Sequence, residues 1–137
     1  MTTSNLQNPL ALLGRILLAI LFVMSGFNKI GGFEGTVGYI ASKGLPLASL
    51  GAVIAIVCEL GGGILVLLGL YTRVVGLVLA VFTLAAAVFF HNFWAVPAAE
   101  TQNMFIHFWK NVSIAGGFLM LAAFGPGSIS LDAKRGV

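Results

Sequence analysis

A chain of 137 residues that is 59% hydrophobic and 8% charged, with a mean hydropathy of +1.06, has too little polar surface to coat a water-facing globule; soluble domains carry roughly 25% charged residues. The net charge of +3 comes from basic residues scattered singly, which gives no run suited to nucleic acid and matches what a membrane chain needs at its loop ends. One cysteine, Cys58, allows neither an internal disulfide nor a CxxC redox pair. The expectation is an integral membrane protein built as one domain over residues 1–137.

In chain order, Met1 to Asn8 is polar and reads as a frayed lead. Pro9 suits a first helical turn, and Leu10 to Phe27 is apolar apart from Arg15, which predicts a first span at about 9–28. No basic stretch precedes it and no small-residue cleavage site follows, so it reads as a span and not a signal peptide. Asn28 to Gly44 is broken by Gly31, Gly32, Gly35 and Gly38. Within it Phe33, Val37, Tyr39 and Ile40 predict a short interfacial helix, with Glu34 and Lys43 at headgroup level.

The second span is expected at about 45–70, and Tyr71-Thr72-Arg73 is so short a turn that spans two and three must be antiparallel neighbours. The third runs over about 74–93 and ends in His91-Asn92-Phe93-Trp94. Pro97 to Asn103 reads as a polar connection, and the fourth span covers about 104–124 before Gly125-Pro126-Gly127 stops it. The fold class is therefore all-α, a four-helix membrane bundle with a short interfacial helix after the first span. Arg73, Lys134 and Arg135 on the side of the termini favour a cytoplasmic location for both ends.

Glu59 stands alone in the second apolar run. A carboxylate near the bilayer centre costs on the order of 3 kcal/mol, so it needs a partner, a proton or a water-filled cavity. Helix rise puts Arg15 about 9 Å from the terminal-side membrane edge and Glu59 roughly 12 Å from it, which predicts a direct Arg15–Glu59 ion pair. Lys110, about 9 Å below the opposite edge, either snorkels outward or bends towards Glu59 as a third member of a buried charge network. With two cations beside it, Glu59 is expected to stay ionised and to lock spans one, two and four together.

The outer half of the bundle is expected to gather Lys29, His91, Asn92, His107, Trp109, Lys110 and Asn111 into a ligand pocket. His107, Lys110 and Asn111 share a helical face by their spacing. His91 and His107 lie near span ends, which argues against haem ligation, and no metal-ligand spacing, nucleophile triad or phosphate loop is present. Gly61-Gly62-Gly63 lies inside a span and reads as a packing surface.

Gly14-Arg15, Ser25-Gly26-Phe27-Asn28-Lys29, Phe33-Glu34-Gly35-Thr36, Tyr39 through Pro46, Glu59-Leu60-Gly61-Gly62, Gly69 with Thr72-Arg73, Phe108-Trp109-Lys110-Asn111, and Gly125-Pro126-Gly127 with Ser130-Leu131-Asp132 occur in one order and spacing. Together they resemble the DoxX family, over about Leu10 to Asp132. The resemblance implies a small four-span protein of the bacterial inner membrane, of a kind described as oxidoreductase or quinol oxidase subunits. Wider relatives act as membrane-protein assembly factors. Arg15, Lys29, Glu59, Lys110 and Asn111 match the family's polar motif positions.

Three functions compete on these residues. A quinone-linked oxidoreductase subunit would hold a quinone head group among Lys110, Asn111, His107 and His91, between Trp109 and Phe108, with a redox partner protein supplying electrons. A non-catalytic membrane subunit or assembly factor, alone or as a homo-oligomer, would use the charges for packing. A small proton-coupled transporter would need Glu59 free to titrate, which two nearby cations oppose.

Overall fold

The computed structural model describes residues 4–137, and every regular element in that range is helical. Helix α1 spans Ser4–Gly31, α2 Phe33–Ser42, α3 Ala48–Ile56 and α4 Gly63–Leu68, with a π-helical segment, Val57–Gly62, joining α3 to α4. Then come α5, Thr72–Phe90, a 3₁₀ turn at Phe93–Ala95, α6, Ala98–Phe124, and a short α7, Leu131–Lys134. α1, the α3–π–α4 unit, α5 and α6 are each long and apolar enough to cross a bilayer. Their outward faces are apolar too: Leu17, Val81 and Phe124 are 64%, 68% and 74% exposed, a surface suited to lipid and not to water. The chain is a four-helix membrane bundle.

The element boundaries differ from the sequence reading in several places. Pro9 lies inside α1, not in its first turn; the added turn before it packs against the tail after α6, where Asn8 accepts from the Ser128 amide at 2.8 Å. Met1 to Thr3, part of the lead read as frayed, fall outside the described residues. Residues 98–103 form the first turns of α6 and not a loop, because Pro97 supplies a helix-compatible start and Glu100 sits in the first turn. The third span closes at Phe90, and His91 and Asn92 are non-helical.

The core sits between all four spans. Ala19 and Phe22 of α1, Val66 of α4, Leu79 and Ala80 of α5, and Ala115 and Phe118 of α6 form its buried cluster. Phe22 meets Phe118 edge-to-face, with ring centroids 5.0 Å apart, the arrangement the ring quadrupoles prefer. Small residues bring backbones close where packing must replace a hydrophobic drive. At Gly26 a Cβ would lie 2.4 Å from the Leu60 amide nitrogen. The first span therefore rests directly on the π segment.

The start of α1 and the segment after α6 meet at one end of the bundle, the terminal end. α2 and the 3₁₀ turn close the other, distal end.

Candidate functional site

The terminal end is tied by charged side chains bonded to backbone. α4 ends at Gly69 (φ 66°), with Gly69 donating to Val66 and Leu70 to Leu65, which satisfies the last carbonyls of the helix. The Asp132 carboxylate accepts from the Tyr71 and Thr72 amides, each at 2.8 Å, and so caps α5 with a negative charge. The Asp132 amide returns a bond to the Gly69 carbonyl. Burial by itself would push this carboxyl up, but the bonds from Thr72 and Tyr71, with Arg135 nearby, hold it below the usual carboxylate range.

Arg15, 1% exposed, closes the same end. Its guanidinium donates to the Ile129 carbonyl and, at 3.5 Å, to the Leu67 carbonyl. A Cβ on Gly69 would lie 1.9 Å from Arg15 Nη1, so glycine there is required by both space and backbone. Arg73 donates to the Ala122 and Ala123 carbonyls, tying α5 to the end of α6.

The expected Arg15–Glu59 pair is therefore corrected. Gly26 abuts Leu60 and Val23 abuts Gly63, so Arg15, about eleven residues before Gly26, comes level with the Gly69–Tyr71 turn. Counting depth from Pro9 placed the membrane edge too early, since the first turns of α1 pack against the tail instead of against the other spans. Lys29 takes the place of Arg15. Its Nζ stands 2.8 Å from Glu59 Oε2 and donates also to Ser25 Oγ at 2.8 Å. Serine and lysine lie one turn apart on α1, so one helical face carries both.

Glu59 is carried by the π segment. A π turn holds an extra residue and is often found at functional sites. The glycines at 61–63 tolerate the wider turn because no side chain crowds it, but the triplet does not announce it.

Lys29 and Glu59 open into a cavity of about 980 Å³ at the distal half of the bundle. Phe82, Phe89, Phe90, Leu21 and Ile54 supply apolar wall, while Ser25, Asn28, Thr36, Tyr39, Thr83, His91 and Asn111 supply polar groups. α2 roofs it. Tyr39 stacks on Phe90 with centroids 5.5 Å apart, and its hydroxyl donates to the Phe90 carbonyl at 3.4 Å.

Of the expected pocket residues, Lys29, His91 and Asn111 line this cavity. His107 stacks on His91, centroids 5.2 Å apart and planes 29° from parallel, so the two rings face each other and do not point at a common ion. Among the described residues no three His, Cys, Asp or Glu side chains gather as a metal site. Asn92 is packed behind, where its Oδ1 and His91 Nδ1 are buried without a hydrogen-bond partner.

Lys110 and Trp109 do not join. They lie on the outward face of α6 with Gln102, Phe105 and Ser113, and Trp109 is 48% exposed. Lys110 is thus neither a pocket donor nor a partner of Glu59. The inward face of α6 is fixed by Ala115, Phe118 and Ala122, and extending that three-and-four spacing backwards reaches Asn111 and not its neighbour. That spacing was a usable signal. Ser25, one turn before Lys29, was another; Tyr39 and Thr83 gave none.

Residues 10–92 match the sequence model of the DoxX family. The inner membrane protein YphA of Escherichia coli is 46% identical over 91% of this chain and 89% of its own length. The inner membrane protein YqjF of the same organism is 42% identical over 93% of each chain. CatD of Bacillus subtilis, a candidate oxidoreductase by its name, is 40% identical over 56% of each chain. No solved structure matches.

Proposed function

Because the chain belongs to the DoxX family of multi-pass inner-membrane proteins, we propose that its distal cavity binds a quinone head group and that the protein serves as a quinone-linked oxidoreductase subunit. The observation that carries this reading is the cavity itself: about 980 Å³ of mostly apolar wall at membrane depth, into which a few hydrogen-bonding groups converge. Such sites suit drug-sized apolar ligands with a few polar points.

The residues fit the group. The Lys29 ammonium and the Asn111 amide are donors for a ring carbonyl oxygen, and the phenylalanines flank a flat ring. Glu59 and Ser25 hold the ammonium in place from two sides, which fixes its direction before a ligand arrives. α2, latched by Tyr39 on Phe90, shields the cavity from the aqueous face. When bound, a quinone supplies reversible two-electron, two-proton chemistry; the electrons come from a partner protein. The relative named as an oxidoreductase supports the reading.

Both termini are assigned to the cytoplasm. Arg73, Lys134 and Arg135 stand at the terminal end with Arg15, whereas at the distal half Lys29 is neutralised by Glu59 and leaves Lys43 and Lys110. Reporter fusions at the C-terminus and after α2 test this.

The deciding experiment is purification from native membrane followed by mass spectrometry of co-purified lipid, with titration of a short-chain ubiquinone analogue. Bound quinone and saturable binding are expected. If neither is found, the chain is a non-catalytic membrane subunit or assembly factor.

A further inference from the structure

The proposed head-group site contains two formal charges of opposite sign. Among the described residues lining the cavity, Lys29 and Glu59 are the only lysine, arginine, aspartate or glutamate, and they are in direct contact at 2.8 Å. Lys29 also spends a proton on Ser25 Oγ. A lysine that met a ligand alone would present a full positive charge at membrane depth and would favour an anion strongly, because the surrounding dielectric is low. Here that charge is already matched.

We propose that Glu59 is the specificity residue of the cavity: by neutralising Lys29 it admits uncharged head groups and rejects anionic ones. This rests on the quinone reading for the identity of the ligand, but the charge selection is a separate property of the pair. Its structural basis is the π segment. The Gly26 backbone lies against Leu60, the residue following Glu59, so the first span and the π turn hold carboxylate and ammonium in register. An anion entering the site meets a carboxylate already seated on the cation and must displace it, whereas a neutral acceptor shares an ammonium proton and leaves the pair intact.

Two ring systems of the same size separate the cases. 2,3-Dimethyl-1,4-naphthoquinone is neutral and has no free ring position for reaction with a thiol such as Cys58. 2-Hydroxy-3-methyl-1,4-naphthoquinone is an anion at neutral pH because its hydroxyl is a vinylogous acid. Binding to the full-length protein in nanodiscs, corrected for empty discs, is expected to be at least tenfold tighter for the neutral compound. In Glu59→Gln the preference shifts towards the anion by at least tenfold. The double variant Lys29→Met with Glu59→Gln loses that shift.

Equal binding of both compounds to the unaltered protein overturns the proposal, and that measurement needs no variant to fold. So does a folded Glu59→Gln protein whose preference is unchanged. Failure of the neutral compound to bind the unaltered protein, with the anion still gaining at least tenfold in Glu59→Gln, overturns the quinone reading and leaves the charge selection standing.

Discussion

The two ends of the bundle use charge in opposite ways. At the terminal end Arg15, Arg73 and Asp132 bond to backbone groups of other elements, and space is filled until a single Cβ at Gly69 has no room. At the distal half Lys29 and Glu59 bond to each other beside about 980 Å³ of open volume. The first arrangement closes loose helix ends that would otherwise leave carbonyls and amides bare in a membrane. The second keeps side-chain polarity available to something that enters. The same residue types thus serve fastening in one place and, on the proposed reading, recognition in the other. Whether the charge faces backbone or a cavity separates them.

Substitutions should divide along that line. Gly69→Ala is expected to do the most damage, since it adds a methyl against Arg15 and forces a left-handed φ on a residue with a Cβ; the two effects together amount to about 3 kcal/mol or more. Thermal unfolding in detergent, or the yield of folded protein, reads it directly. An alanine variant as stable as the parent would mean that the terminal end is not the tight lock described.

Glu59→Gln is next. It strands an ammonium at membrane depth and is expected to lower stability by about 2 kcal/mol, most of it recovered when Lys29→Met is added. Non-additivity of that size in a double-mutant cycle is the signature of the pair. Additive losses would show that the two groups do not interact.

Asp132→Asn removes the charge from the α5 cap and is expected to cost about 1 kcal/mol. The pH dependence has a definite sign. The folded-state pKa of Asp132 is depressed, so its stabilisation is fully present above the ordinary carboxylate pKa of about 3.9. It is lost as pH falls from there through the lower folded value. The unfolding temperature of the parent should therefore drop over that acid range, and the asparagine variant should show a flatter limb.

The smallest effect sharpens the comparison most. Lys110→Leu should leave ligand binding and stability within about 0.5 kcal/mol of the parent, whereas Asn111→Leu, one residue on, should weaken binding of a ubiquinone analogue about fivefold by removing a donor of about 1 kcal/mol. Equal losses from both would place the ligand on the outer face of α6.

The four spans were legible because apolar runs of this length have few other physical meanings, and Gly125-Pro126-Gly127 could only be a stop. The partner of Glu59 was not. Depth along a helix was counted from a proline assumed to mark the membrane edge, and an error of about three turns there exchanges Arg15 for Lys29, which lie about four turns apart on α1. The π turn was hidden for a different reason: Gly61-Gly62-Gly63 permits a widened helix without requiring one, and the close approach of α1 at Gly26 to Leu60 has no signal in the sequence. Asn111 and Lys110 are neighbours in sequence but about 100° apart around α6. Only the buried Ala115–Phe118–Ala122 face says which of them looks inward.

The bonds of Arg15 also impose an order on biosynthesis. Its two acceptors lie 52 and 114 residues later in the chain, so the first span enters the bilayer with its guanidinium unmatched. It acquires one carbonyl when the second span arrives and the other only after the fourth has been made. Until Ile129 has been made, the Arg15 guanidinium lacks the second of the two carbonyls it bonds in the finished bundle. A translation product that stops before the segment beyond the fourth span would therefore present quality-control proteases with a bundle whose first helix lacks that bond.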